Sequence, residues 1–346
     1  MAYISFQPSD HFNTKIFTGN GSTQSITGVG FEPSLTWIKN RDHANHNVLF
    51  DAVRGGSKVI YANLANAEAT ASGVTAFDSD GFTLGNDSDT NRNTNSHASW
   101  NWLANGQGSS NTDGSINTTY TSANTTSGFS IVKYTGTGSN ATVGHGLGVA
   151  PKMIMVKQTN TSRDWAVYHK FSNPDGTGAQ YYMHLNNADA RASNSAFWNN
   201  TDPTSSVIHL GSNHNTNGSG GTYIAYCFAE KQGYSKFGSY TGNGNADGVY
   251  QHLGFSASWL MIKRTDSSAS WVIFDNKRLG YNVANYQLYA NSNTSYGNNV
   301  LLDITSQGFK CRANHLDVNG SGATYIYMAF AEAPLVSSNG VPAVAR

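Results

Sequence analysis

The sequence predicts an all-β protein made of three tandem antiparallel β-sandwich repeats, jelly-roll-like, with extended N- and C-terminal arms. Three observations lead there. The first is a short opening that occurs three times, as Phe17-Thr18-Gly19-Asn20-Gly21, Tyr134-Thr135-Gly136-Thr137-Gly138 and Tyr240-Thr241-Gly242-Asn243-Gly244. In each, an aromatic strand residue runs into a turn that needs a permissive backbone. The second is the fixed spacing of residues downstream of each opening. A hydrophobic run ends at Lys39, Lys157 and Lys263, which lie 22, 23 and 23 residues past the aromatic, and Phe50, Tyr168 and Phe274 each lie 11 residues beyond that lysine. The third is composition. With 36 glycines, 38% hydrophobic and 12% aromatic residues but only 12% charged ones, the chain has the make-up of many short strands and turns.

The openings are spaced by 117 and 106 residues. That exceeds the roughly 20 to 50 residues of a solenoid unit and suits small domains, each burying its own apolar face. Residues 1–14 form an N-terminal arm whose Tyr3, Ile4, Phe6 and Phe12 need a surface, either the first repeat or a neighbouring subunit. Residues 15–105 form the first repeat. Within it, Ser25 to Val29 and Leu35 to Lys39 are strands around a turn at Gly30-Phe31-Glu32-Pro33, and Asp78-Ser79-Asp80-Gly81 joins a hairpin. The closing strand His97 to Trp102 has counterparts in Tyr223 to Phe228 and Tyr325 to Phe330.

Residues 106–127, rich in Gly, Ser, Thr and Asn, are expected to be a linker. The second repeat is 128–231 and the third 232–332. The join at Glu230 to Gly233 is so short that these two are expected to move as a rigid pair, with the first tethered more loosely. Residues 333–346 form a C-terminal arm, kept extended by Pro334 and Pro342.

Charge and patterning exclude several classes. Lys and Arg number 21, as do Asp and Glu, so nothing draws the chain to nucleic acid or to an anionic membrane. No run approaches the roughly 18 apolar residues of a membrane helix, and the first residues do not read as a signal peptide, so no membrane insertion is expected. Cys227 and Cys311 fall inside different strands and are expected to be buried free thiols.

Catalytic chemistry has no motif here. No sequence exposes a nucleophile, and Gly144-His145-Gly146-Leu147-Gly148 lies between strands, as a turn. Asp78 with Asp80, and Asn86 with Asp87 and Asp89, offer oxygen ligands but lack the twelfth-position glutamate of a calcium loop. His43 and His46 lack a third ligand, and Glu230 with Glu332 occupies matching structural positions rather than forming a glycosidase pair. The expectation is therefore a non-enzymatic protein with no catalytic residues, no metal and no cofactor. Ligand binding is expected, if anywhere, at Trp198 with Asn199, Tyr181 and Tyr182, because an aromatic ring beside amides suits stacking on a sugar. The competing reading has Phe197 and Trp198 covering the edge of a sandwich.

Several stretches also carry a resemblance: FQPSDHFNTKIFTGNGSTQSITGVGF, NTDGSI, GFSIVKYTG, ATVGHGLGVAPKMIMVK, GYSKFGSYTGNG and MAFAEAPLV. Together they make the chain look like a virion-protein family of marine and cyanobacterial bacteriophages, tail-fibre-like or structural, and the similarity covers nearly the full length. The resemblance implies a structural protein on the virion surface, made in the host cytoplasm. Because sandwich loops suit glycan contact, the expected use is as a tail-fibre or receptor-binding component contacting host surface glycans, with capsid decoration or a soluble carbohydrate-binding module as alternatives. Its implied partners are other virion proteins, further copies of itself in a homo-oligomer, and a host surface polysaccharide. The resemblance carries over no site residues.

Overall fold

Three long antiparallel sheets frame the protein, and all three put one face into the same core. The computed structural model describes residues 4–173, 175–278, 286–331 and 336–337. The first inner sheet runs, edge to edge, Phe12–Thr18, Ser96–Trp102, Leu35–Asn40, Asn47–Asp51, Lys58–Tyr61 and Ala69–Thr70. The second runs Tyr120–Asn124, Phe129–Thr135, Thr222–Phe228, Met153–Gln158 and Ala166–His169. The third runs Ser235–Thr241, Thr324–Ala331, Ala257–Arg264, Trp271–Asp275 and Leu288–Tyr289. In each, the strand carrying the aromatic opening pairs with the closing strand, which pairs in turn with the lysine strand. Ala98, Ile224 and Ile326 lie opposite Lys39, Lys157 and Lys263.

Each inner sheet is covered on its outer face by a small sheet. These are Gln24–Thr27, Gly81–Leu84 and Val74–Asp78 on the first, Ala141–Gly144 with Val207–Leu210 on the second, and Tyr250–His252, Gly308–Cys311 and Leu302–Thr305 on the third. The Asp-Gly hairpin forms as expected, Asp78 opposite Gly81. The central strands therefore have no solvent face. Along Met153–Gln158, Met153 and Met155 enter the shared core while Ile154 and Val156 enter the flanking one. Trp259 and Met261 alternate with Leu260 and Ile262 in the same way. Burial on both faces is why these segments read as continuous apolar runs.

The three sheets, each with its own cover and flanking core, are also joined by one shared core. Trp102, Phe228 and Phe330, equivalent in register, meet one another edge-on with centroids 6.1, 5.6 and 6.0 Å apart. Trp259 joins them at 5.6 Å from Trp102, and Phe129 stacks on Phe228 at 4.8 Å. The stretch 106–127 is not a plain linker. Tyr120–Asn124 pairs along Phe129–Thr135, and buried Ile116 bridges to Val143.

Polar groups then lock the sheets in a cycle. Lys39, Lys157 and Lys263 are buried, and each donates to the carbonyl six residues on, at Asn45, Arg163 and Ala269. Each also donates to a carbonyl of the preceding sheet's segment: Lys157 to Ala65, Lys263 to Ala188, and Lys39, closing the ring, to Asn293. Side chains eight residues past the lysines repeat the order. Trp165 donates to the Tyr61 carbonyl, Trp271 to that of His184, and Asn47 to that of Tyr289. One residue after the second aromatic the cycle runs the other way round the same ring. Asp51 accepts from the Tyr226 hydroxyl and Asp275 from the Trp100 indole, while the His169 ring meets the Tyr327 carbonyl.

The Thr-Gly-x-Gly opening has a local cause. Asn91, Asn217 and Asn319 are fully buried and accept at Oδ1 from the backbone N–H of Asn20, Thr137 and Asn243. Their amides donate to carbonyls including Gly85, Gly211 and Ala313. The turn so pinned presses against the chain, and a Cβ on Gly19, Gly136 or Gly242 would meet a carbonyl oxygen at 2.3, 2.4 or 2.4 Å. The second glycine of each motif sits at φ 69°, 76° or 65°, where glycine carries no steric cost.

The N-terminal segment lies on its own chain, against the third sheet rather than the first. Phe6 stacks on His11 at 4.7 Å and meets Tyr234 edge-on at 5.1 Å, and the strand Ile4–Phe6 pairs with Val336–Ser337. Phe12 already belongs to the first inner sheet, so the arm is shorter than the predicted 1–14. Of the C-terminal arm, residues 333–335 and 338–346 lie outside the described residues, as does Glu332.

Candidate functional site

The residues expected to bind a ligand do not make one surface. Trp198 is 2% exposed and sits in the flanking core of the second sheet, its ring edge-on to Tyr168 at 5.9 Å and tilted against Phe197. That burial leaves neither face of the indole open to a stacking sugar. The helical turn Ser195–Trp198 puts it there, with Asn194 capping the turn by accepting from Ala196 N–H and Asn199 ending it at φ 51°. Asn199 is exposed and accepts from the Asn140 amide. Tyr182 is stacked flat on Phe197 at 3.6 Å. Tyr181 turns another way and lies under the guanidinium of Arg191, 4.9 Å from it.

The acidic residues weighed as metal ligands are engaged locally. Asp80 accepts from Gly28 and Gly30 N–H, which hold its carboxyl below the usual range, and Asp78 accepts from the Thr83 hydroxyl. Asp87 caps a helical turn, and Asp89 accepts from Asn45 and from His46 N–H. Among the described residues, no group of three or more His, Cys, Asp or Glu could hold a metal ion. Cys227 and Cys311 are buried free thiols, which burial pushes up to about 12 and about 11.

Arg191 leads to the site that sequence reasoning missed. Its backbone N–H donates to the carbonyl of Thr265, the residue two past Lys263. At the other two sheet junctions the same contact joins Glu68 to Thr159 and Tyr296 to Arg41, two past Lys157 and Lys39. One backbone frame thus presents three different side chains. Glu68 meets buried Arg54 at 3.3 Å, and Arg54 is also paired with buried Asp51. Tyr296 stacks beneath Arg41, 5.8 Å from its guanidinium. Arg191 instead donates to the Ser172 carbonyl and, at 3.2 Å, to the Thr265 hydroxyl, and borders a 180 Å³ cleft.

The cleft lies between the second and third inner sheets. Phe171 forms one wall, and the edge strand Ser235–Thr241 supplies Ser239, Tyr240 and Thr241. Thr265, Thr324 and Tyr325 close it. Its aromatic wall is fixed, because Tyr240 and Tyr325 stack at 5.0 Å and donate their hydroxyls to the Val318 and Leu316 carbonyls. Ser239 and Thr241, alternating with buried Tyr240, are exposed at the rim. The only signal in the sequence was one-sided. Thr265 keeps step with Thr159 after the repeated lysine, but nothing marks Arg191 as its partner.

Residues 7–334 match a family described as a domain of unknown function, DUF7483. The chain belongs to the DUF7483 family. The match spans all three inner sheets, so the family is defined on the whole ring rather than on one sheet. No curated protein and no solved structure matches the chain.

Proposed function

We propose that this DUF7483 protein is a non-enzymatic structural component of a bacteriophage particle, displayed on its surface as a tail-fibre or receptor-binding element that contacts host surface glycans. The observation that carries the reading is the closed cycle of buried lysine-to-carbonyl bonds, which ties the three sheets to one core. Such a frame suits a part that must keep its shape outside a cell without disulfides, while loops at the sheet junctions remain available for contact. The sequence resemblance to phage virion proteins points the same way. The partners this reading implies are other virion proteins, further copies of this chain, and a host polysaccharide.

Mass spectrometry and antibody labelling of purified virions test it. The chain is expected in the particle, with label at the tail. Label spread over the head would favour capsid decoration, and absence from the particle would refute the display role.

A further inference from the structure

We propose that the cleft at the junction of the second and third sheets binds a single acidic sugar unit, a uronic acid, with Arg191 taking the carboxylate. The inference rests on the glycan-contact reading and adds to it a place and a ligand class. Three features of the cleft carry it.

The first is the contrast between junctions. The same backbone contact is made at Glu68, Arg191 and Tyr296, but only at Arg191 does it border this cleft. At the first junction the glutamate is taken up by Arg54, and at the third Arg41 and Tyr296 face each other. Arg191 is held by neutral groups, the Ser172 carbonyl, the Thr265 hydroxyl and the Tyr181 ring. These fix the guanidinium without neutralising it. Asp175, whose carboxylate feels the charge of Arg191, makes no ion pair with it and accepts instead from the Thr177 hydroxyl and N–H. A fixed planar guanidinium is the group best matched to a carboxylate.

The second feature is the lining. Hydroxyl-bearing Ser239, Thr241 and Thr324 line the cleft with part-exposed Phe171, over the buried pair Tyr240 and Tyr325. Polar side chains beside one accessible ring suit a pyranose, which has hydroxyls along its edge and an apolar face. The third feature is size. At 180 Å³ the cleft is smaller than the roughly 300 Å³ at which pockets for larger ligands begin, so it admits one sugar ring, a terminal or branch unit.

Saturation-transfer NMR and calorimetric titration of the full chain with methyl glucuronoside, methyl galacturonoside and methyl glucoside provide the test. Binding of one or both uronosides is expected, with the neutral glucoside at least tenfold weaker. Arg191→Gln is expected to weaken uronoside binding about tenfold or more, with a retained cooperative melting transition as the control for folding. Ser239→Tyr, at an exposed strand position, is expected to block the cleft with Arg191 intact. Failure of both uronosides to bind, or binding that survives either substitution, would overturn the proposal. These outcomes are separate from the particle test, because the cleft is assayed on purified protein and virion association is read on virions.

Discussion

The junctions at Glu68 and Arg191 make the same backbone bond and end in opposite chemistry. Glu68 closes a buried network with Arg54, Asp51 and Tyr226, linking the first and second sheets through charge. Arg191 closes nothing of that kind and borders a cleft. The difference teaches that geometry and function are separated in this fold. Backbone carbonyls, buried lysines and the axial aromatics set how the sheets meet, so the side chain at the junction is free to be a strut or a binding group.

That comparison can be broken first at the axis, which both junctions depend on. Trp102→Ala should destabilise the whole protein by about 3–5 kcal/mol, because a large ring in contact with the other two sheets is lost and the site has little room to collapse. In urea, all three sheets should then unfold at the same lower midpoint. A new transition confined to the first sheet would show that the core is not shared. Trp102→Phe should cost much less, since the indole N–H has no hydrogen-bond partner among the described residues.

The next effect separates the two junctions. Asp51→Ala should cost about 3–5 kcal/mol by denaturant titration, because it leaves the Arg54 guanidinium, 1% exposed, and the Tyr226 hydroxyl without their shared acceptor. Arg191→Gln should cost less, about 1–2 kcal/mol, because a part-exposed guanidinium gives up hydrogen bonds to buried Ser172 and Thr265 but leaves no buried charge unpaired. A large cost at Arg191 would make it a strut like Asp51 and remove the contrast.

A smaller effect concerns pH. Burial lowers His97 and His169 to about 4, so the unfolded chain takes up protons first as pH falls below 6.5. Stability should therefore drop between pH 6.5 and 4. Burial also lowers Lys39, Lys157 and Lys263 to about 8. Between pH 8 and roughly 10 the unfolded chain then holds more protons than the folded one, and stability should rise with pH. Above about 10 it should fall again, because tyrosines ionise in the unfolded chain while Tyr134, Tyr226, Tyr234 and Tyr240 are held neutral by burial. Melting temperatures across pH 4 to 11 check the shape, and Lys157→Met should flatten the alkaline rise.

Much of the frame was legible because it depends on residue types that cannot be exchanged. The glycines of the opening are required by a carbonyl within 2.4 Å and by positive φ, and the lysines keep step because each caps a loop six residues on. The closing of the ring was not legible. The lysines reach backbone carbonyls of Asn293, Ala65 and Ala188, and a carbonyl leaves no mark on the sequence. For the same reason the short join at Glu230 to Gly233 suggested that the second and third repeats pair rigidly and the first is tethered loosely, whereas all three sheets share one core. Trp198 was misleading because an aromatic beside asparagines reads alike whether the ring faces solvent or, as here, Tyr168 and Phe197. Arg191 was invisible because its placement comes from Thr265, just past the strand Ala257–Arg264 of another sheet.

The central claim is that three sheets form one cooperative body, and differential scanning calorimetry tests it most directly. A shared core with a closed cycle of buried bonds predicts one endotherm whose calorimetric and van't Hoff enthalpies agree. Two resolved endotherms, or a calorimetric enthalpy well above the van't Hoff value, would contradict it and return the molecule to separate sandwiches on a string.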